Sequence, residues 1–118
     1  MKTILYIEDN AANRILIGRL LSRDYNIIYA EDGETGLNLA MEKSPDLILM
    51  DIGLPDFDGQ TVGAMIRQIP ELTKVPIVAI TAWPEDKAND MVKRYGFDGC
   101  ITKPISVNQL PHQIASYF

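Results

Sequence analysis

Leu47-Ile48-Leu49-Met50-Asp51 is the stretch whose reading decides the fold. Four apolar residues follow one another with no polar alternate, which suits a strand covered on both faces, as in a parallel sheet. The run then ends in a carboxylate. Ile4-Leu5-Tyr6-Ile7 repeats the design and ends in Glu8-Asp9, and Ile77-Val78-Ala79-Ile80 repeats it again and ends in Thr81. Weaker strand signals lie at Asn26 to Ala30 and at Gly99 to Thr102, the second followed by Lys103-Pro104.

Helical periodicity fills the intervals. Val62, Met65, Ile66 and Ile69 follow the i, i+3, i+4, i+7 template, as do Ala88, Met91, Val92 and Tyr95, while Leu37, Ala40 and Met41 mark a shorter stripe. Asn10 and Asp32 are placed to cap the first two helices, and Gly96 after Lys93-Arg94-Tyr95 suits a left-handed C-cap. The last helix is expected to be capped by Ser106, with Val107, Leu110 and Ile114 inward and Pro111 delaying its start. Pro45, Pro76 and Pro104 punctuate the connections.

Five strand-helix pairs with short links predict an α/β fold, a three-layer sandwich with a five-stranded parallel sheet. At 118 residues the flavodoxin-like (βα)5 order 2-1-3-4-5 is expected, in one domain spanning 1–118 with no output domain. In that order a crevice opens beyond the C-terminal ends of strands one and three.

The bulk properties narrow the function. A 47% hydrophobic and 23% charged composition is that of an ordinary globular chain. A net charge of −5 repels phosphate backbones and argues against direct nucleic-acid binding. The single cysteine, Cys100, cannot build an internal disulfide framework, and no segment is long enough for a signal core or a membrane span, so a cytoplasmic location without membrane insertion is expected.

The polar residues at the strand ends carry the chemistry. Glu8, Asp9 and Asp51 converge at the crevice, where their mutual repulsion calls for a hard divalent cation. Oxygen ligands suit magnesium, which keeps several waters and needs only a few carboxylates and a backbone carbonyl. Thr81 and Lys103 close the neighbouring strands. A hydroxyl and an ammonium beside a metal-loaded carboxylate make a receptor for a phosphoryl group, with Asp51 as nucleophile. Each carboxylate alone reads as a solvated loop residue, Lys103 alone as a surface lysine and Thr81 alone as a strand former. Four of five strands ending in groups suited to one ligand is a far more specific signal.

In this order and spacing, Ile7-Glu8-Asp9-Asn10, Asp46 to Asp51 with Leu54-Pro55 and Asp58-Gly59, Thr81-Ala82 and Lys103-Pro104-Ile105 resemble the response-regulator receiver domain along nearly the whole chain. The resemblance implies Asp51 as phosphoacceptor, Thr81 as switch hydroxyl and Lys103 as the phosphate-pairing lysine. It implies Glu8 and Asp9 as the acidic pair, with Asp9 a direct ligand of Mg2+ (or Mn2+), the Gly53 carbonyl as another ligand, and a cis bond before Pro104. It also implies a sensor histidine kinase or histidine phosphotransfer protein as donor and a downstream protein partner as reader. The domain would catalyse only its own phosphorylation and dephosphorylation.

One departure matters. Three residues before the lysine, receivers usually carry Tyr or Phe, and here Cys100 stands there. An aromatic switch cannot operate through a thiol, so Trp83, Tyr95 or Phe97 is expected to take over part of the signal. Cys100 itself reads as a small buried residue rather than a reactive thiol, and His112 as a surface residue. Ile15, Leu16, Ile17, Leu20 and Leu21 make the first helix apolar beyond one stripe, which fits either deep burial or a docking face. Three other functions compete. A flavin carrier would want a neutral phosphate loop where Glu8-Asp9 stands. An aspartate-nucleophile phosphatase would want a second acid where Gly53 stands. A pseudo-receiver, an interaction module without phosphorylation, draws its support from Cys100.

Overall fold

The computed structural model describes residues 1–52 and 58–118. Five strands, β1 (Thr3–Ile7), β2 (Asn26–Ala30), β3 (Leu47–Asp51), β4 (Ile77–Thr81) and β5 (Gly99–Thr102), alternate with five helices. The helices are α1 (Ala11–Leu21), α2 (Gly33–Lys43), α3 (Gly59–Arg67), α4 (Glu85–Tyr95) and α5 (Leu110–Ala115), with a 3₁₀ turn at Pro70–Leu72. All strand pairs are parallel and the order is β2-β1-β3-β4-β5, as the apolar runs predict. This is the five-stranded flavodoxin-like sandwich.

Alternation along the strands divides the core in two. Ile4, Tyr6, Leu47, Leu49, Val78, Ile80 and Ile101 pack against Ile17 and Leu21 of α1 and Leu110 and Ile114 of α5. Leu5, Ile7, Ile48, Met50, Ile77 and Ala79 pack on the other face against α2, α3 and α4, through Ala40, Val62, Ile66 and Met91. The same alternation aims the residues at the strand ends. Glu8 and Asp51 continue the series of Tyr6 and Leu49, whereas Thr81 continues that of Ala79.

The caps are local and legible. Asn10 accepts from the Asn13 N–H at 3.0 Å, and Asp32 from the Thr35 N–H at 2.8 Å. Gly96 ends α4 at φ 79, a left-handed position that glycine fills without strain.

The apolar stripes are narrower than the periodicity suggests. Met41 and Met65 stand at the stripe edges and are exposed. On α1, Ile17 and Leu21 are buried, but Ile15 and Leu16 face outward, 56% and 44% exposed, so burial does not explain them. Val107 is exposed as well, against expectation. Pro111 lacks an amide donor and sits in the first turn, so α5 begins only at Leu110. Ser106 caps the preceding turn instead, its Oγ accepting from the Gln109 N–H at 3.3 Å.

Arg67 ties α3 to the β4 and β5 connections. Its guanidinium donates to the Gly96, Thr73 and Val75 carbonyls and pairs with Asp98 at 2.6 Å.

Candidate functional site

The register brings the predicted residues together. Ile7 pairs with Met50, so Glu8 is level with Asp51, and Asp51 in turn pairs with Ile80, the residue before Thr81. Glu8, Asp9 and Asp51 each offer a carboxylate oxygen within 4.8 Å of the others. A magnesium ion holding oxygens at about 2.1 Å separates opposite ligands by about 4.2 Å, so small side-chain movements would close this set on one ion. Gly53, Leu54 and Pro55 lie outside the described residues.

Glu8 is fully buried and Asp51 nearly so, while Asp9 is exposed to the solvent from which a cation would arrive. Burial, and then contact with the Asp51 carboxylate and its charge, push the Glu8 carboxyl up to about 7, with the Asn13 amide and the Lys103 charge pulling the other way. Glu8 Oε1 accepts from the Tyr6 hydroxyl at 3.2 Å and from Asn13 Nδ2 at 2.9 Å. Its other oxygen, Oε2, is buried with no hydrogen-bond partner among the described residues. A buried bare carboxylate oxygen beside two more carboxylates is the donor set a hard cation would satisfy, so these residues fit a divalent metal.

Lys103 and Thr81 close the other side. Lys103 Nζ lies 3.7 Å from Asp51 Oδ1, and its amide donates to the Thr81 carbonyl at 2.8 Å. The bond before Pro104 is cis, as the resemblance implies. Thr81 is 2% exposed, and its Oγ1 accepts from the Trp83 N–H at 3.0 Å. A cleft of about 440 Å³ is lined by Asp51, Thr81, Lys103, Trp83, Asp58 and Gln60 among others, enough for a phosphoryl group and its waters.

Gly59 sets how closely α3 approaches the end of β3. A Cβ there would stand 2.6 Å from Ile52 Cα and 2.7 Å from the Asp51 carbonyl oxygen, so only glycine lets α3 start so close to the end of β3.

Three contributors escaped the sequence reading. Tyr6 reads as one more apolar strand residue, and no local pattern gives Asn13 or Arg14 a role at the site. Asn13 and Tyr6 hold the Glu8 carboxylate, and Arg14 Nη1 donates to the Glu8 carbonyl at 2.9 Å. The available signal for Tyr6 was its spacing, two residues before Glu8 and therefore on the same side of the strand.

Of the aromatics expected to replace the missing switch, Phe97 is buried, its ring occupying the space a Gly63 side chain would need. Tyr95 is half-buried, and Trp83 is 39% exposed at the cleft rim. Cys100 is half-buried, its Sγ 3.8 Å from Asn89 Oδ1, and burial followed by the Glu85 charge pushes its thiol up, away from the reactive thiolate. His112 is on the surface.

Comparison with known proteins fits this geometry. Residues 4–115 match the family model of the response regulator receiver domain. The polar-differentiation response regulator DivK of Brucella anthropi is 36% identical over 117 residues, covering 98% of this chain and 95% of the relative. The chemotaxis response regulator CheY4 of Vibrio cholerae superposes with a TM-score of 0.94 at 22% identity, covering 100% of this chain and 99% of the other. The receiver domain of a sensor histidine kinase from Pseudomonas aeruginosa PAO1, solved with a magnesium ion coordinated in its active site cleft, superposes with a TM-score of 0.89 at 29% identity. That likeness covers 98% of this chain and 96% of the other.

Proposed function

Because this chain belongs to the response regulator receiver domain family, we propose that it accepts a phosphoryl group on Asp51 from a histidine kinase or a histidine phosphotransfer protein. The convergence of Glu8, Asp9 and Asp51 opposite Lys103 carries this reading. Glu8, Asp9 and Asp51 would hold magnesium, with the Gly53 carbonyl as a further ligand, and magnesium would supply positive charge beside the phosphoryl oxygens. An Asp51 oxygen attacks phosphorus in line, the bond from phosphorus to the donor imidazole nitrogen breaks, and the imidazole leaves with the electron pair. Lys103 pairs with the charge on the transferred oxygens.

Thr81 links the site to the surface. Its hydroxyl now accepts from the Trp83 amide. Turning that hydroxyl to donate to a phosphoryl oxygen frees the Trp83 backbone and moves an indole at the cleft rim. Cys100 leaves no aromatic ring to follow Thr81 inward, so Trp83 is the side chain through which a downstream protein reads the change. A cytoplasmic location goes with this role. No helix among the described residues is long and apolar enough to cross a membrane.

Incubation with a small phosphodonor tests the reading by intact mass. One phosphoryl adduct is expected, dependent on magnesium and lost in Asp51→Asn. A second reading, an interaction module without phosphorylation, is favoured by Cys100 alone. It requires that neither a small donor nor a histidine-phosphorylated protein yields an adduct.

A further inference from the structure

The two oxygens of Glu8 are treated differently. Oε1 accepts from Tyr6 at 3.2 Å and from Asn13 at 2.9 Å. A carboxylate oxygen offers two lone-pair directions, so Oε1 is saturated. Oε2 has no hydrogen-bond partner among the described residues. The donor that completes this asymmetry is rigid. Tyr6 is fully buried, packs with Ile17, Leu49 and Ile80, and has its ring tilted against Tyr29 at 6.4 Å between centroids.

Cations differ in what they ask of a carboxylate. Magnesium takes six oxygens at about 2.0–2.1 Å in a strict octahedron and is served by single oxygens. Calcium takes six to eight at about 2.3–2.6 Å and gains from carboxylates that bind through both oxygens. We propose that Tyr6 determines the cation preference of the site: with Asn13 it occupies Oε1 of Glu8, leaving a single oxygen to face the cation, and so favours magnesium over calcium. Tyr6 is a positioning residue, acting through Glu8. This inference rests on the acidic cluster being a cation site.

The test titrates the full chain with magnesium chloride and calcium chloride, followed by Trp83 fluorescence and by calorimetry, in the wild type, Tyr6→Phe and Asn13→Ala. Tyr6→Phe removes one oxygen and keeps the ring. It is expected to lower the ratio of calcium to magnesium dissociation constants about fivefold, the size of one net hydrogen bond, with Asn13→Ala moving it the same way. A merely structural role would weaken both cations equally, so an unchanged ratio in the two variants overturns the proposal. If Tyr6→Phe does not fold, Asn13→Ala decides by the same criterion. A wild type that binds neither cation overturns the cation site itself, and the Tyr6 role with it. Cation binding with an unmoved ratio overturns the Tyr6 role alone.

Discussion

Glu8→Gln should stabilise the metal-free protein at alkaline pH, although it replaces a residue of the site. The Glu8 carboxyl is raised from 4.5 to about 7, so between those values the folded chain holds a proton that the unfolded chain has released. Stability from this group is therefore greatest below 4.5 and falls as pH rises through 7. The full difference corresponds to an upper limit of about 3 kcal/mol, and an effective dielectric around buried groups well above that of dry protein reduces it to about 2 kcal/mol. Glutamine keeps an oxygen for Tyr6 and Asn13 and presents an amide donor toward Asp51, so the charge is removed with little change of shape. Thermal unfolding in chelator at pH 8 should show Glu8→Gln melting roughly 8 °C above the wild type, with the two close together at pH 5. Magnesium at pH 8 should raise the wild type more than the variant, since it relieves the same repulsion. A variant less stable than the wild type at pH 8 in chelator would refute the reasoning.

Three further outcomes follow from the same geometry. Ser44 ends α2 at φ 46, so Ser44→Gly should gain about 0.5 kcal/mol, seen as a higher urea midpoint with unchanged slope. Arg67→Ala should lose about 2–3 kcal/mol in the same assay, because its ion pair with Asp98 and three carbonyl contacts go together. Lys103→Met removes a positive charge 3.7 Å from Asp51 Oδ1. It should tighten magnesium binding about threefold, read by Trp83 fluorescence, and slow adduct formation at least tenfold, read by mass.

Much of this was legible in the sequence because the strands are covered on both faces. A strand buried that way reads as an unbroken apolar run, and three such runs ending in Glu8-Asp9, Asp51 and Thr81 define both sheet and site. Residues whose role depends on distant partners were not legible. Arg67 bonds across 29 residues to Gly96 and 31 to Asp98, and no local pattern marks that. Tyr6 hid among apolar neighbours because its ring belongs to the core while its hydroxyl belongs to the site. Val107, Met41 and Met65 satisfied an apolar period yet face solvent. Apolar character alone does not show where a stripe ends, and Pro111 shifts the start of α5 beyond Val107.

The most direct measurement locates the phosphoryl group. The protein is phosphorylated by a histidine-phosphorylated donor in magnesium, reduced with borohydride and digested, and the peptide covering residue 51 is sequenced by mass. Conversion of Asp51 to homoserine, dependent on both donor and magnesium, is the expected result. Reduction at another residue, or at none while the donor transfers to a control receiver, would contradict Asp51 as the acceptor.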